Sequence, residues 1–305
     1  MKLLLLLLPI LVSTVAGEID WSRVRPIEEF DHYWARLPEK LQALRHENPN
    51  RRIVNGYESY PGQFPYQVAL IADYGIVYGL CGGSVLTTNF VLTAAHCVVD
   101  ASGGVALLGA HNRVNNEPSQ QSCSFSAEGI TIHQGYIATS LRNDVATVRL
   151  NVPIIYTDRV QSPVFPPEGD TRTFSGYTAT VSGFGRISDS NHDTSDVLRY
   201  VTNPIITNAN CLEQWNDDAE LISGQNICLS GATGRASCGG DSGGPLTVYD
   251  WEGSLLVGLV SFGSIAGCAS GMPSVFTRVT FFLEWIAENS DFVASPASFI
   301  NSNSV

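Results

Sequence analysis

The chain has 305 residues, with 29 acidic against 17 basic side chains and a formal net charge of −12. That acidity argues against nucleic acid or an anionic membrane surface as a partner. The length allows one or two domains.

Taken in chain order, residues 1–17 combine Lys2, an apolar run from Leu3 to Val12 and the small residues Val15-Ala16-Gly17. This is the pattern of a secretory signal peptide, and the apolar run is too short to read as a membrane span. Residues 18–52 hold seven acidic and seven basic residues and no cysteine. Within them, Pro38 to Arg45 reads as helical or loosely ordered, and the segment ends in Arg51-Arg52. From Ile53 onward, short β-type runs alternate with Gly, Asn and Pro: 67–71, 83–86, 91–94, 105–108, 145–150, 179–183, 246–248, 256–262 and 274–279. Regular short strands with turn signals predict an all-β barrel or sandwich. The clear helical signal is Thr280–Asn289, with Phe281, Phe282, Trp285 and Ile286 expected on one face. Residues 53–305 carry 22 acidic and 9 basic residues, a formal charge of −13, and no lysine, since Lys2 and Lys40 both lie upstream. The lack of lysine fits either a lumen rich in trypsin-like enzymes or simple compositional bias.

Three islands carry chemistry. They are Thr93-Ala94-Ala95-His96-Cys97, Asn143-Asp144-Val145-Ala146 and Gly240-Asp241-Ser242-Gly243-Gly244-Pro245. A serine hydroxyl needs a base in reach to lose its proton as it attacks a carbonyl, and His96 is the candidate because imidazole titrates near neutral pH. Asp144 is suited to hold the imidazole in one tautomer and to stabilise the imidazolium. Glycines on both sides of Ser242 permit close approach of a substrate backbone.

These islands, in the order His, Asp, Ser, together with Arg52-Ile53-Val54-Asn55-Gly56, resemble the chymotrypsin-like serine protease family from about Ile53 to the helix after Thr280. The arrangement is similar to that of arthropod secreted digestive proteases of the brachyurin type. The resemblance implies two six-stranded antiparallel β-barrels, about 53–165 and 166–280, with a helix over 280–290 and the active site in the cleft between the barrels. The chain is then a signal peptide (1–17), an activation propeptide (18–52), a protease domain (53–290) and a tail (291–305). His96 and Asp144 would come from the first barrel and Ser242 from the second. The Gly240 and Ser242 amides would form the oxyanion hole. Cutting between Arg52 and Ile53 would free an ammonium to pair with Asp241, a carboxylate too costly to bury alone. Because the propeptide has no cysteine, it is expected to dissociate after the cut. Of the seven cysteines, the resemblance pairs Cys81 with Cys97, Cys211 with Cys228 and Cys238 with Cys268. Cys123 is left either buried and inert or paired with another chain.

In this family the base of the specificity pocket lies six residues before the nucleophile, at Ala236 here. Alanine cannot form a charge-assisted pair with Arg or Lys, so the chain should not be trypsin-like and should need a separate trypsin-like activator. The walls implied are Ser237, Ser261, Phe262, Gly263 and Ser274, with Trp215 close by. They favour large apolar or aromatic residues. Ser274 narrows the pocket and keeps an elastase-like or broad collagenase-like preference as the alternative. Some relatives bind calcium after a Gly-x-His-Asn stretch. Here Ala110 and Gln120 stand where carboxylates are needed, leaving Glu117, so neither a metal nor another cofactor is expected. A non-catalytic homologue is disfavoured by the complete triad, and an immune or clotting cascade protease by Ala236. The expected protein is a secreted monomer, suited to a digestive lumen, acting on proteins or peptides and open to protein protease inhibitors.

Overall fold

The computed structural model describes residues 19–37, 42, 56–187, 193–216, 218–251, 253–264 and 267–296. The signal peptide, the Arg52-Ile53 junction and nearly all of the helical reading over 38–45 lie outside the described residues. Numbered in chain order, the strands begin with β1 (Val24–Pro26), β2 (Tyr57–Glu58), β3 (Gln67–Asp73), β4 (Tyr78–Val85) and β5 (Phe90–Thr93). They continue with β6 (Gly103–Leu108), β7 (Gln121–Ser126), β8 (Ile130–Ile132), β9 (Ala146–Arg149) and β10 (Thr178–Gly183). The remainder are β11 (Arg199–Ile206), β12 (Asn226–Leu229), β13 (Pro245–Asp250), β14 (Gly253–Phe262) and β15 (Ser274–Arg278). Helices are α1 (Asp31–Trp34), α2 (Asn208–Gln214) and α3 (Val279–Glu288).

Two antiparallel sheets divide these strands. The second runs β10-β13-β14-β15-β12-β11 and closes because β10 also pairs with β11, giving a six-stranded barrel with β2 added at β11. The first runs β7-β6-β3-β4-β5-β9-β8 and stays open as a half-barrel. Closure of the second removes its edges, the usual hazard of β-structure. In the first, β5 pairs with Ser84 and Val85 of β4, while β1 lies parallel to the other end of that strand, Val24 opposite Tyr78 and Pro26 opposite Leu80. An amino-terminal segment therefore covers backbone that β5 leaves free.

Side-chain patterning explains the layers. Along β7 only Cys123 and Phe125 are buried, alternating with more open serines, as a pleat with one face on a core requires. β3 is buried along nearly its whole length, because it lies centrally between β6 and β4. Val68, Leu70, Val91, Leu108 and Val148 fill the first core; Val181, Ile227, Leu246 and Phe276 fill the second. α3 joins them: Phe282, Leu283, Trp285 and Ile286 pack on Leu86, Leu92 and Val145 from one side and Leu256 and Leu259 from the other. Each such buried side chain contributes about 1.5–3 kcal/mol. Phe281, expected on the buried face, is instead 59% exposed; the buried stripe follows 279, 282, 283, 285 and 286, the three-and-four spacing of one helix face.

Three disulfides join Cys81 to Cys97, Cys211 to Cys228 and Cys238 to Cys268. Cys123 is a free, buried thiol in the first core, and burial pushes its pKa up, away from the reactive thiolate. The start of the carboxy-terminal tail is docked: Asp291 accepts from Asn89 Nδ2 at 2.6 Å, and the Phe292 ring lies tilted against Phe165, 4.6 Å between ring centres.

Candidate active site

His96 lies in a short turn, Ala95–Cys97, that leaves β5. Asp144 immediately precedes Val145 and β9. Both therefore belong to the half-barrel. Ser242 stands on the loop that enters β13 of the closed barrel. The two bodies are pinned together at this point: Gly82 N–H of β4 donates to Ser242 O at 2.7 Å. The Cys97 sulfur, held in its disulfide, sits 3.8 Å from His96 Nε2 and 3.3 Å from Ser242 O.

The Asp144 carboxylate is fully engaged. It accepts from His96 Nδ1 at 2.8 Å and from the His96 backbone N–H at 3.0 Å. Ser261 Oγ donates to it at 2.6 Å, and Thr277 Oγ1 donates to the Asp144 carbonyl at 2.7 Å. Burial pulls the His96 pKa down, but the charge of Asp144 and its hydrogen bond outweigh that and hold the imidazole above its ordinary value, with Glu28 adding to the rise. The Ser261 contact arises at a register shift in β14 between Val260 and Phe262. Such an irregularity re-aims a side chain out of the alternating pattern.

Around the serine, Gly240 has φ +94° and Gly243 φ +77°. Side chains rarely adopt those angles, so glycine is what lets the loop turn its amides inward. Asp241 is buried and accepts from Cys238 N–H at 2.9 Å and Gly185 N–H at 2.8 Å. Burial, only partly offset by these two bonds, pushes its pKa up to about 7, and nearby Glu28 adds to the rise. A small cavity beside it is bordered by Gly56, Ser182, Gly183, Ala236 and Ser237.

The main cleft is lined by Ser242, Ser237, Ser261, Phe262, Gly263 and Trp215, among others. Of the expected pocket residues, Ala236 and Ser274 do not appear among its described lining; Ala236 borders the small cavity beside Asp241, and Ser274 is buried in β15. Phe262 meets Trp215 edge-on at 5.4 Å. Residues that the sequence reading did not assign to the site also enter the cleft: Glu28, Tyr33, Trp34 and Leu37, from the amino-terminal segment, and Arg186. Gly240 N–H donates to Glu28 Oε2 at 3.1 Å, and Ser242 Oγ donates to the other carboxylate oxygen. Apolar and aromatic residues recurring about every third position, at 21, 24, 27, 30, 33 and 37, are the signal that could have marked this segment as packed.

The one cluster of metal-type ligands among the described residues is Cys81, His96 and Cys97. Its two sulfurs are joined in a disulfide and offer no thiolate. In the loop after Gly109, Glu117 accepts from His111 N–H at 2.7 Å and Asn112 N–H at 3.1 Å, while Gln120 Nε2 donates to the carbonyls of Asn112 and Asn115, each at 2.7 Å.

A hydrogen-bonded Asp-His pair thus stands on the half-barrel and a glycine-flanked serine on the closed barrel. The family model described as Trypsin covers residues 53–286. The chain belongs to the trypsin family. It is similar to a chymotrypsin of Phaedon cochleariae, 36% identical over 96% of this chain and 100% of that one. It is similar also to a brachyurin of Leptuca pugilator, 39% identical over 77% of this chain and 96% of that one. A solved structure of HL collagenase superposes with a TM-score of 0.71 at 36% identity, covering 79% of this chain and 100% of that one. The protein is thus a chymotrypsin-like serine endopeptidase. In this protease the match to the Phaedon relative reaches past the catalytic body and across residues 19–37.

Proposed function

We propose that the chain is a secreted zymogen of a chymotrypsin-like endopeptidase, with His96, Asp144 and Ser242 as its triad. Residues 1–17 are its signal peptide and 18–52 its propeptide; 53–290 form the catalytic body and 291–305 a tail. The observation that carries this reading is the buried His96 Nδ1–Asp144 contact of 2.8 Å, with Cys97 Sγ 3.8 Å from His96 Nε2 and 3.3 Å from Ser242 O. Held by Asp144, the imidazole presents Nε2 as the base. Ser242 Oγ attacks the scissile carbonyl, its proton passes to His96, and the carbonyl oxygen gains the negative charge. The Gly240 and Ser242 amides stabilise that charge, and losing one such donor costs about 2.7–4 kcal/mol. His96 then gives its proton to the leaving amine, and water repeats the sequence on the acyl-enzyme.

Cleavage between Arg52 and Ile53 assembles the catalytic site. The freed Ile53 ammonium enters the cavity beside Asp241, removing the cost of that lone buried carboxylate. Ala236 provides no negative charge for an Arg or Lys side chain, so a separate trypsin-like protease makes the cut. The apolar cleft of Phe262 and Trp215 supports a preference for large apolar or aromatic residues before the scissile bond. Likeness to a brachyurin and to HL collagenase supports a broader, collagenase-type preference as the second reading. Extracellular, digestive action fits the leader and the acidic, lysine-free body.

The test is kinetic. Processed protein should hydrolyse peptides after Phe, Tyr, Leu or Met, and Ser242→Ala should lower turnover by several orders of magnitude while leaving a residual rate of about 10³–10⁴ over water. Near-normal turnover by Ser242→Ala rejects the assignment.

A further inference from the structure

Residues 19–37 do more than precede the activation site. They form a ligand for the cleft. The first part binds as a strand, β1 on β4, and is fastened by Arg23 Nη2 donating to Ile76 O at 2.5 Å and by the Arg23 guanidinium stacked 4.9 Å from the Tyr78 ring centre. Ile27 is fully buried, and Val24, Tyr33, Trp34 and Leu37 are each less than a tenth exposed. Tyr33 packs edge-on against His96, 5.7 Å between ring centres. Trp34 Nε1 donates to Glu28 O at 2.7 Å and so fixes the turn that carries Glu28. Glu29 pairs with Arg186, and Arg36 pairs with Asp100 at 2.6 Å.

At the centre of this contact stands a carboxylate. Glu28 accepts from Gly240 N–H and from Ser242 Oγ, the groups that would face the developing oxyanion and carry out the attack. A carboxylate there resembles a cleaved product: it offers negative charge to the oxyanion donors and no leaving group to expel. The polarity of the segment also opposes that of a substrate. The residue in a specificity pocket precedes the bond to be cut, whereas here the apolar residues that line the cleft, Tyr33, Trp34 and Leu37, follow the group at Ser242. No main-chain carbonyl of the segment is hydrogen-bonded by the Gly240 amide.

We infer that, against the expectation that a cysteine-free propeptide dissociates, the severed propeptide stays in the cleft as a non-covalent, product-like inhibitor of the processed protease, with Glu28 in the oxyanion position, so that cutting Arg52-Ile53 does not by itself give full activity. This rests on the catalytic reading above. The segment is held by apolar burial, a strand pairing and two ion pairs, and none of these contacts requires the chain to be continuous at Arg52.

The experiment uses the full chain with Asn48→Asp, Pro49→Asp, Asn50→Asp, Arg51→Asp and Arg52→Lys, so that enteropeptidase cuts before Ile53 and spares the other Arg and Lys sites. Two readouts follow the cut. In gel filtration the 18–52 fragment should co-elute with the body; in a peptide-hydrolysis assay, turnover per molecule should rise at least tenfold on dilution as the fragment leaves. Glu28→Gln should weaken retention at least tenfold, and Tyr33→Ala should do the same through the apolar contact. Complete separation of the fragment, or turnover per molecule that does not change with dilution, overturns the inference. Co-elution needs no catalysis. A body that retains the fragment but stays inert after the fragment is removed therefore counts against the catalytic reading, and with it against inhibition.

Discussion

At single residues the site is an arrangement of charges that the fold must hold. Asp241 illustrates the consequence. Its carboxyl, pushed up to about 7 from 3.8, binds more protons in the folded chain than in the unfolded one between those values. The intact chain therefore loses stability as pH rises through that window. Asp241→Asn should flatten the melting temperature of the intact chain between about pH 4 and 7, read by calorimetry, and should leave the processed form zymogen-like in activity. An unchanged pH slope would remove the lone-carboxylate argument. Ser261 makes a second case. It was expected as a pocket wall, yet its hydroxyl donates to Asp144. As a positioning residue, Ser261→Ala should lower kcat/KM by roughly 10–100-fold, the worth of a hydrogen bond to a charged group. It should also shift the acid-side limb of the pH–rate profile, where protonation of His96 removes the base, which a purely structural role would not move. The His96–Asp144 contact was legible because both residues sit in sequence islands with distinctive neighbours. Glu28 was not, since one acid among seven in a charged segment carries no local mark.

At the scale of elements, legibility followed side-chain patterning. Runs such as 67–71, 105–108 and 256–262 are apolar enough to declare themselves, and each lies within or on a strand. β7 was invisible because Gln121-Ser122-Cys123-Ser124-Phe125-Ser126 has only two apolar residues to alternate. β11 was hidden by Pro204, which the strand tolerates because β12 pairs only with Ile205 and Ile206 and so asks for no N–H from it. β4 begins among glycines, Gly79, Gly82 and Gly83, which weaken any strand signal. α2 is short and is declared mainly by its cap, Thr207 Oγ1 accepting from Asn210 N–H at 3.1 Å. The loop after Gly109 offers a prediction at this scale. The Gln120 amide binds two carbonyls that face inward, the role a cation would otherwise fill. Gln120→Ala should destabilise the protein by about 1–3 kcal/mol in denaturant unfolding, and added calcium or a chelator should leave the unmodified protein's midpoint unchanged. A midpoint that calcium raises would contradict this.

For the whole molecule, the sheets matter because they bring together residues that the chain keeps 48 and 98 positions apart. The half-barrel holds His96 and Asp144, the closed barrel holds Gly240 and Ser242, and α3 locks one to the other. The resemblance made that division legible, but it could not show that the amino-terminal segment completes the half-barrel as β1 and covers the cleft. That covering depends on tertiary burial of Ile27, Tyr33 and Trp34; their spacing marks a packed segment but not the cleft as what it packs on. It also predicts how reactivity is distributed between the two forms of the molecule. The most direct measurement is mass spectrometry after exposure to a fluorophosphonate that reacts with activated serines. The processed, propeptide-free protein should carry a single adduct on Ser242, and the intact chain or His96→Ala should carry none. No adduct on the processed form, or an adduct on a different residue, would contradict the account.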